Sequence, residues 1–148
     1  QFPMLIIIFG ESCTGKSTLA DALSERAGAQ VYSGKDYLRL AKSEGEARAL
    51  FQKQLKGAAE GTGDLIYVIA EPELLSLVPE GGVRVLVTAD LDEIKSRFTA
   101  RMGGTLPSPV AAMLERKHGC FDQMPHDVHM ASGEDSLEAV CEKILALR

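Results

Sequence analysis

No run of the 148 residues approaches the roughly 18–20 consecutive apolar side chains that a membrane-spanning helix needs. The opening apolar stretch, FPMLIIIF, is too short and lacks the cationic lead of a secretion signal. A cytoplasmic location and no membrane partner are therefore expected. Basic charge is also scarce: the formal net charge is −5, which offers no general attraction to a phosphodiester backbone, so no nucleic-acid partner is expected. The three cysteines, Cys13, Cys120 and Cys141, are odd in number and widely spaced. They match neither a disulfide framework nor paired metal-ligand spacing, and reduced thiols are expected. Internal repeats, low-complexity tracts and linkers rich in Pro, Gly and Ser are all missing, so residues 1–148 read as one domain.

What is present is an alternation of strand and helix. Residues 4–9 form a continuous apolar run rich in isoleucine, the pattern of a strand buried on both faces. Residues 29–33, 64–70 and 83–89 read as further strands, and 127–132 as a weaker fifth. Helical patterns fill the gaps at 16–27, 35–60 with a break at Gly45, 71–77, 91–102, 110–117 and 136–147. Parallel strands need crossover connections and the crossovers cover the sheet, so the expected fold is α/β with a mostly parallel sheet between helical layers.

Between the first strand and the first helix the chain reads GESCTGKS, from Gly10 to Ser17. It satisfies every fixed position of G-x-x-x-x-G-K-[ST], which a chain of this length matches by chance on the order of 1% of the time. Gly10 and Gly15 permit backbone angles that a Cβ forbids, so the N–H groups of Glu11, Ser12, Cys13, Thr14, Gly15, Lys16 and Ser17, with Thr18 beside them, can surround phosphate oxygens. Lys16 supplies a mobile charge, Ser17 a hydroxyl for Mg²⁺, and the following helix the positive end of its dipole. ATP and Mg²⁺ are the expected cofactors.

In its size and in the position of this loop the sequence resembles the small P-loop kinases, which include nucleoside monophosphate, shikimate and gluconate kinases. Neither the NKxD nor the DxxG sequence mark of the larger GTPases is found. The resemblance implies a three-layer sandwich with a five-stranded sheet, an acceptor-side helical insert at about 34–63 and a short lid at about 101–118. Within the group the segment YSGKDYLRL, residues 32–40, is similar to that of cytidylate kinases, in which a threonine-glycine pair precedes a tyrosine and an arginine. Ser33, Gly34, Tyr37 and Arg39 stand in similar places and are implied to bind the acceptor. Asp36 fits equally the acidic residue with which shikimate-type kinases orient an acceptor hydroxyl, or a helix cap formed with Ser33. Glu71 ends the third strand where small kinases carry an acidic residue, but Pro72 replaces the usual glycine. A carboxylate there holds a water on Mg²⁺, or is simply favoured in a helix's first turn.

The segment after the fourth strand resembles the lid of nucleoside monophosphate kinases. Arg97 and Arg101, four apart, emerge on one helix face, and Arg116 is similar to the arginine of the cytidylate kinase RDxxD pattern, with Lys117 replacing its first aspartate. Planar forked donors suit the charge spread over a transferring phosphoryl group, so these three arginines and Lys16 are the expected catalytic cations, with Asp36 as the base for an alcohol acceptor. His118, His126 and His129 form no metal-ligand pattern with the cysteines and read as structural or surface residues. The leading expectation is a Mg²⁺-dependent nucleoside monophosphate kinase of cytidylate type, a monomer or small homo-oligomer acting on a small-molecule phosphoryl acceptor. A hydroxyl-directed kinase of shikimate, gluconate or antibiotic-phosphotransferase type competes, because residues 33–63 are short for a nucleotide-acceptor subdomain. A nucleotide-binding module without transfer activity is the reading from another class.

Overall fold

The computed structural model describes residues 4–147. Five strands, β1 (Leu5–Phe9), β2 (Gln30–Ser33), β3 (Leu65–Ile69), β4 (Val83–Thr88) and β5 (Val128–Ala131), are accompanied by five α-helices among the described residues. The helices are α1 (Lys16–Ala27), α2 (Glu44–Ala59), α3 (Leu91–Arg101), α4 (Ser108–Lys117) and α5 (Leu137–Leu145). The sheet has the order β2-β3-β1-β4-β5 and every pairing is parallel, with Leu5 opposite Leu65, Ile6 opposite Val83 and Val85 opposite Val128. β1 thus lies at the centre, which is why its five residues are apolar and all buried.

Successive side chains of a strand point to opposite faces, and β1 divides accordingly. Ile6 and Ile8 pack with Val85, Met130, Leu19 and Leu23 of α1 and Ile144 of α5. Leu5, Ile7 and Phe9 pack on the other face with Tyr67, Phe51 and Leu55 of α2, and Phe121 from the segment after α4. Phe9 and Phe121 meet with ring centroids 5.7 Å apart, which holds that segment against the sheet. Among the described residues no helix is long and apolar enough to cross a membrane.

The expected helix at 35–60 divides differently from its forecast. Asp36–Leu40 is a short 3-10 turn, and α2 starts after Ser43, whose side chain accepts from the Glu46 N–H at 3.2 Å. The Ser43-to-Glu46 spacing is that of a capping box, and it sets the boundary; Gly45 sits within the first turn of α2 rather than breaking a helix. The expected helix at 71–77 is likewise a 3-10 turn, Pro72–Leu77. The region expected to form a lid is the loop 102–107 followed by α4. α3 and α4 share a small core of Ile94, Leu114 and Phe98, joined by Cys13 of the phosphate loop, and Lys95 pairs with Glu115 at 3.2 Å across them. The loop ends of all five parallel strands open on the same edge of the sheet, where α/β domains place their ligands.

Candidate active site

The turn from β1 to α1 is built from main chain. A Cβ on Gly10 would come 2.2 Å from the Val87 carbonyl oxygen of the neighbouring strand, so only glycine lets the loop leave the sheet here. Gly15 has φ 100°, a left-handed angle, immediately before α1. Cys13, with φ 63°, shares that region and is the one non-glycine among the described residues to do so. Thr14 is fully buried and its hydroxyl donates to the Glu11 carbonyl at 2.8 Å, closing the loop on itself.

Lys16 is buried, and its Nζ donates to the same Glu11 carbonyl at 2.5 Å. Desolvation lowers its pKa from 10.5 to about 8; Cys13 and Glu11 oppose that shift and Arg101 reinforces it. The ammonium is thus held on a main-chain oxygen of the loop, where an arriving polyphosphate would offer a stronger partner.

Arg97 ties three segments together. Its Nη1 donates to the Cys13 carbonyl at 3.0 Å, its Nη2 to Ser132 Oγ at 3.0 Å, and its Nε to Glu93 Oε1 at 3.1 Å. The fork therefore reaches from α3 to the phosphate loop and to the loop after β5. These groups border a cleft of about 620 Å³, the size of a small-molecule site. Residues 12–18 line it together with Arg97 and Arg101 from α3, and with Ser33, Gly34 and Glu71 from the ends of β2 and β3.

Other expected site residues lie elsewhere. Tyr37 is buried and stacks on Phe51, centroids 5.1 Å apart and planes within 5°; it belongs to the core because the 3-10 turn lays it against α2. Arg39 sits over the Tyr32 ring at 5.1 Å from its centroid, outside the cleft. Asp36 is exposed, and its Oδ2 accepts from the Ser33 N–H at 3.0 Å, which makes it a turn-former beneath the cleft's end rather than part of its lining. Arg116 is exposed on α4 and does not line the cleft. Gly10 has a structural place under the loop, and Glu11 contributes its carbonyl while its side chain turns away.

That Glu11 carboxylate is only one-tenth exposed and takes the His118 Nδ1 at 3.0 Å and the Gly119 N–H at 3.1 Å, anchoring the phosphate loop to the end of α4. It borders a second cleft of about 650 Å³, with His118, His126, His129 and Asp122 in its wall. The histidines therefore gather, although no set of three or more His, Cys, Asp or Glu side chains among the described residues could hold a metal ion. An ion at the first cleft would thus be taken by the Ser17 hydroxyl together with ligands from a bound nucleotide, which fits Mg²⁺ and its habit of binding through phosphates and water.

The sequence reading missed the loop after β5. Ser132, Gly133 and Asp135 line the first cleft, and Asp135 Oδ2 shapes that loop by accepting from the Ala131 N–H at 2.7 Å. The small polar run ASGED after the fifth strand was the available signal, because ligands gather beyond strand carboxyl ends.

No family model matches this sequence, and no curated protein matches it. Solved structures do. A gluconokinase from Sinorhizobium meliloti 1021 superposes with a TM-score of 0.62 at 18% identity, covering 99% of this chain and 91% of that one. Shikimate kinase from Aquifex aeolicus vf5 gives 0.54 at 21% identity, covering 97% and 95%. TT1252 from Thermus thermophilus gives 0.64 at 21% identity, covering 99% and 98%. The fold is that of the small P-loop kinases: a five-stranded parallel sheet between helical layers, with the phosphate loop after the central strand.

Proposed function

We propose that this protein is an ATP-dependent phosphotransferase that moves the γ-phosphoryl group to a hydroxyl of a small molecule. The observation that carries this reading is one continuous cleft joining the phosphate loop, Lys16, Arg97 and Arg101 to the ends of β2 and β3, where Ser33 and Glu71 stand. The likeness to a gluconokinase and a shikimate kinase supports the kinase class. Lys16 and the N–H groups of the loop would hold the β- and γ-phosphates at the positive end of α1. Ser17 presents the hydroxyl that would take Mg²⁺, which when bound neutralises charge on the phosphate oxygens. Arg101 would stabilise charge on the transferring group, and Arg97, already hydrogen-bonded to the phosphate loop, would do so from a fixed position.

A nucleoside monophosphate acceptor, the leading expectation from sequence, keeps Arg97 and Arg101 but loses Tyr37 and Arg39, which are engaged with Phe51 and Tyr32. The hydroxyl reading needs neither. Its test is incubation with γ-labelled ATP, Mg²⁺ and separate panels of nucleoside monophosphates and small alcohols. Label transferred to an alcohol is the expected result; label transferred only to nucleotides, or ATP bound without transfer to anything, would reverse it.

A further inference from the structure

The charges along the first cleft are unevenly placed. Its cations, Lys16, Arg97 and Arg101, gather at the phosphate loop, with Arg97 bonded to the loop carbonyl of Cys13 at 3.0 Å, and Asp135, whose carboxylate accepts from the Ala131 N–H, lines the loop after β5. The side contributed by the ends of β2 and β3, Ser33, Gly34, Val68, Ala70 and Glu71, contains no Lys, Arg or His among the described residues. Glu71 is its one charged group, exposed and engaged in no ion pair among the described residues.

Nearby cations of the same region are occupied elsewhere. Arg39 covers Tyr32 at 5.1 Å, and Arg48 pairs with Glu44 at 3.1 Å on the outer face of α2. Lys35, next to Gly34, is exposed and lies outside the lining. A carboxylate or phosphate on an acceptor would therefore meet Glu71 without a counter-ion, or compete with ATP for the donor-side cations. Like charges in a partly desolvated cleft are strongly disfavoured, whereas hydroxyl and ammonium groups are natural partners for a carboxylate.

We propose that the acceptor is an uncharged or cationic hydroxyl compound, a polyol, amino alcohol or amino sugar, and that Glu71 binds the group to be phosphorylated. This rests on the phosphotransferase reading above. In the transfer, the acceptor oxygen bonds to the γ-phosphorus as the bond from that phosphorus to the β–γ bridging oxygen breaks. ADP leaves with the bonding electrons, and the hydroxyl proton passes to the Glu71 carboxylate and on to solvent.

The test uses the full chain with ATP, Mg²⁺ and matched acceptors that share a carbon skeleton but carry no charge, an amine, a carboxylate or a phosphate. Glucose, glucosamine, gluconate and glucose 6-phosphate form one such set; glycerol, serinol, glycerate and glycerol 3-phosphate form another. Transfer to the neutral or amino members with kcat/KM at least tenfold above the anionic ones is expected. Preference for a carboxylated or phosphorylated member would overturn the inference and leave the kinase reading standing. ATP binding with no transfer to any member would remove both.

Two variants locate the effect. Glu71→Gln is expected to lower kcat/KM for the favoured acceptor about tenfold while ATP affinity stays within about twofold, and Glu71→Arg to move preference toward the carboxylated member. Unchanged acceptor kinetics in Glu71→Gln, with the fold intact by circular dichroism, would remove Glu71 from the site.

Discussion

The two ends of the first cleft are made of different material. The proposed donor end is main chain: a loop fixed by Gly10 and Gly15, closed by Thr14 and braced from α3 by Arg97. The proposed acceptor end is assembled from side chains of segments distant in sequence, Ser33 at the end of β2 and Glu71 after β3, beside a turn shaped by Asp36. Main-chain sites demand a fixed spelling, because only certain residues permit the angles; side-chain sites can be rebuilt from many residue types at many spacings. The donor end can thus stay constant across acceptors while the other end varies.

The sharpest way to break this contrast is at Lys16. Lys16→Ala removes the charge that would follow the transferring phosphate, and turnover should fall by about 10²–10³-fold. ATP affinity, measured by calorimetry, should weaken by about tenfold or more, and retention of both affinity and turnover would dissolve the distinction between the ends. Gly10→Ala tests the main-chain requirement. Its Cβ would lie 2.2 Å from the Val87 carbonyl oxygen, an atom fixed in the sheet, so stability should drop by about 1–3 kcal/mol. In a domain of this size that is a fall in Tm of about 2–10 °C in calorimetry.

The pH response sharpens it further. The Lys16 ammonium is desolvated to a pKa of about 8, so its contribution to ATP affinity should be constant below about pH 7 and weaken by up to about tenfold per unit above 8. Near pH 8 binding should take up a proton, seen as a binding heat that changes with the buffer's ionisation enthalpy. Stability moves the other way. The folded pKa lies below the unfolded value of 10.5, so between about pH 8 and 10.5 the unfolded chain holds more protons at this group, and its contribution to stability rises with pH. The difference in melting between the parent and Lys16→Met across that window isolates it from other titrating groups.

The same contrast explains what could be read from the sequence. The strands were visible because β1 is an unbroken buried run, and the phosphate loop because its glycines, lysine and serine have no freedom in spacing. Arg97 and Arg101 were singled out by their helical spacing, and both line the cleft. Tyr37 was misjudged because nothing local distinguishes an aromatic that stacks on Phe51 from one that faces a ligand. Ser132 and Gly133 were overlooked because they stand at the end of the weakest strand pattern and carry no fixed motif. The Glu11 contact to His118 joins positions 107 apart in sequence, a relation that only the folded chain displays.

The smallest expected effect bears most directly on the acceptor end. Arg39 matches the cytidylate-type segment in sequence, yet its guanidinium lies over the Tyr32 ring rather than along the cleft. Arg39→Gln should therefore leave the acceptor KM within about twofold and cost only the cation–π contact, about 0.5–1 kcal/mol of stability. A KM raised tenfold with Tm unchanged would mean that the arginine swings to the acceptor when the cleft is filled. A cation would then serve the far end after all, and the difference between the two ends would lie in timing rather than in charge.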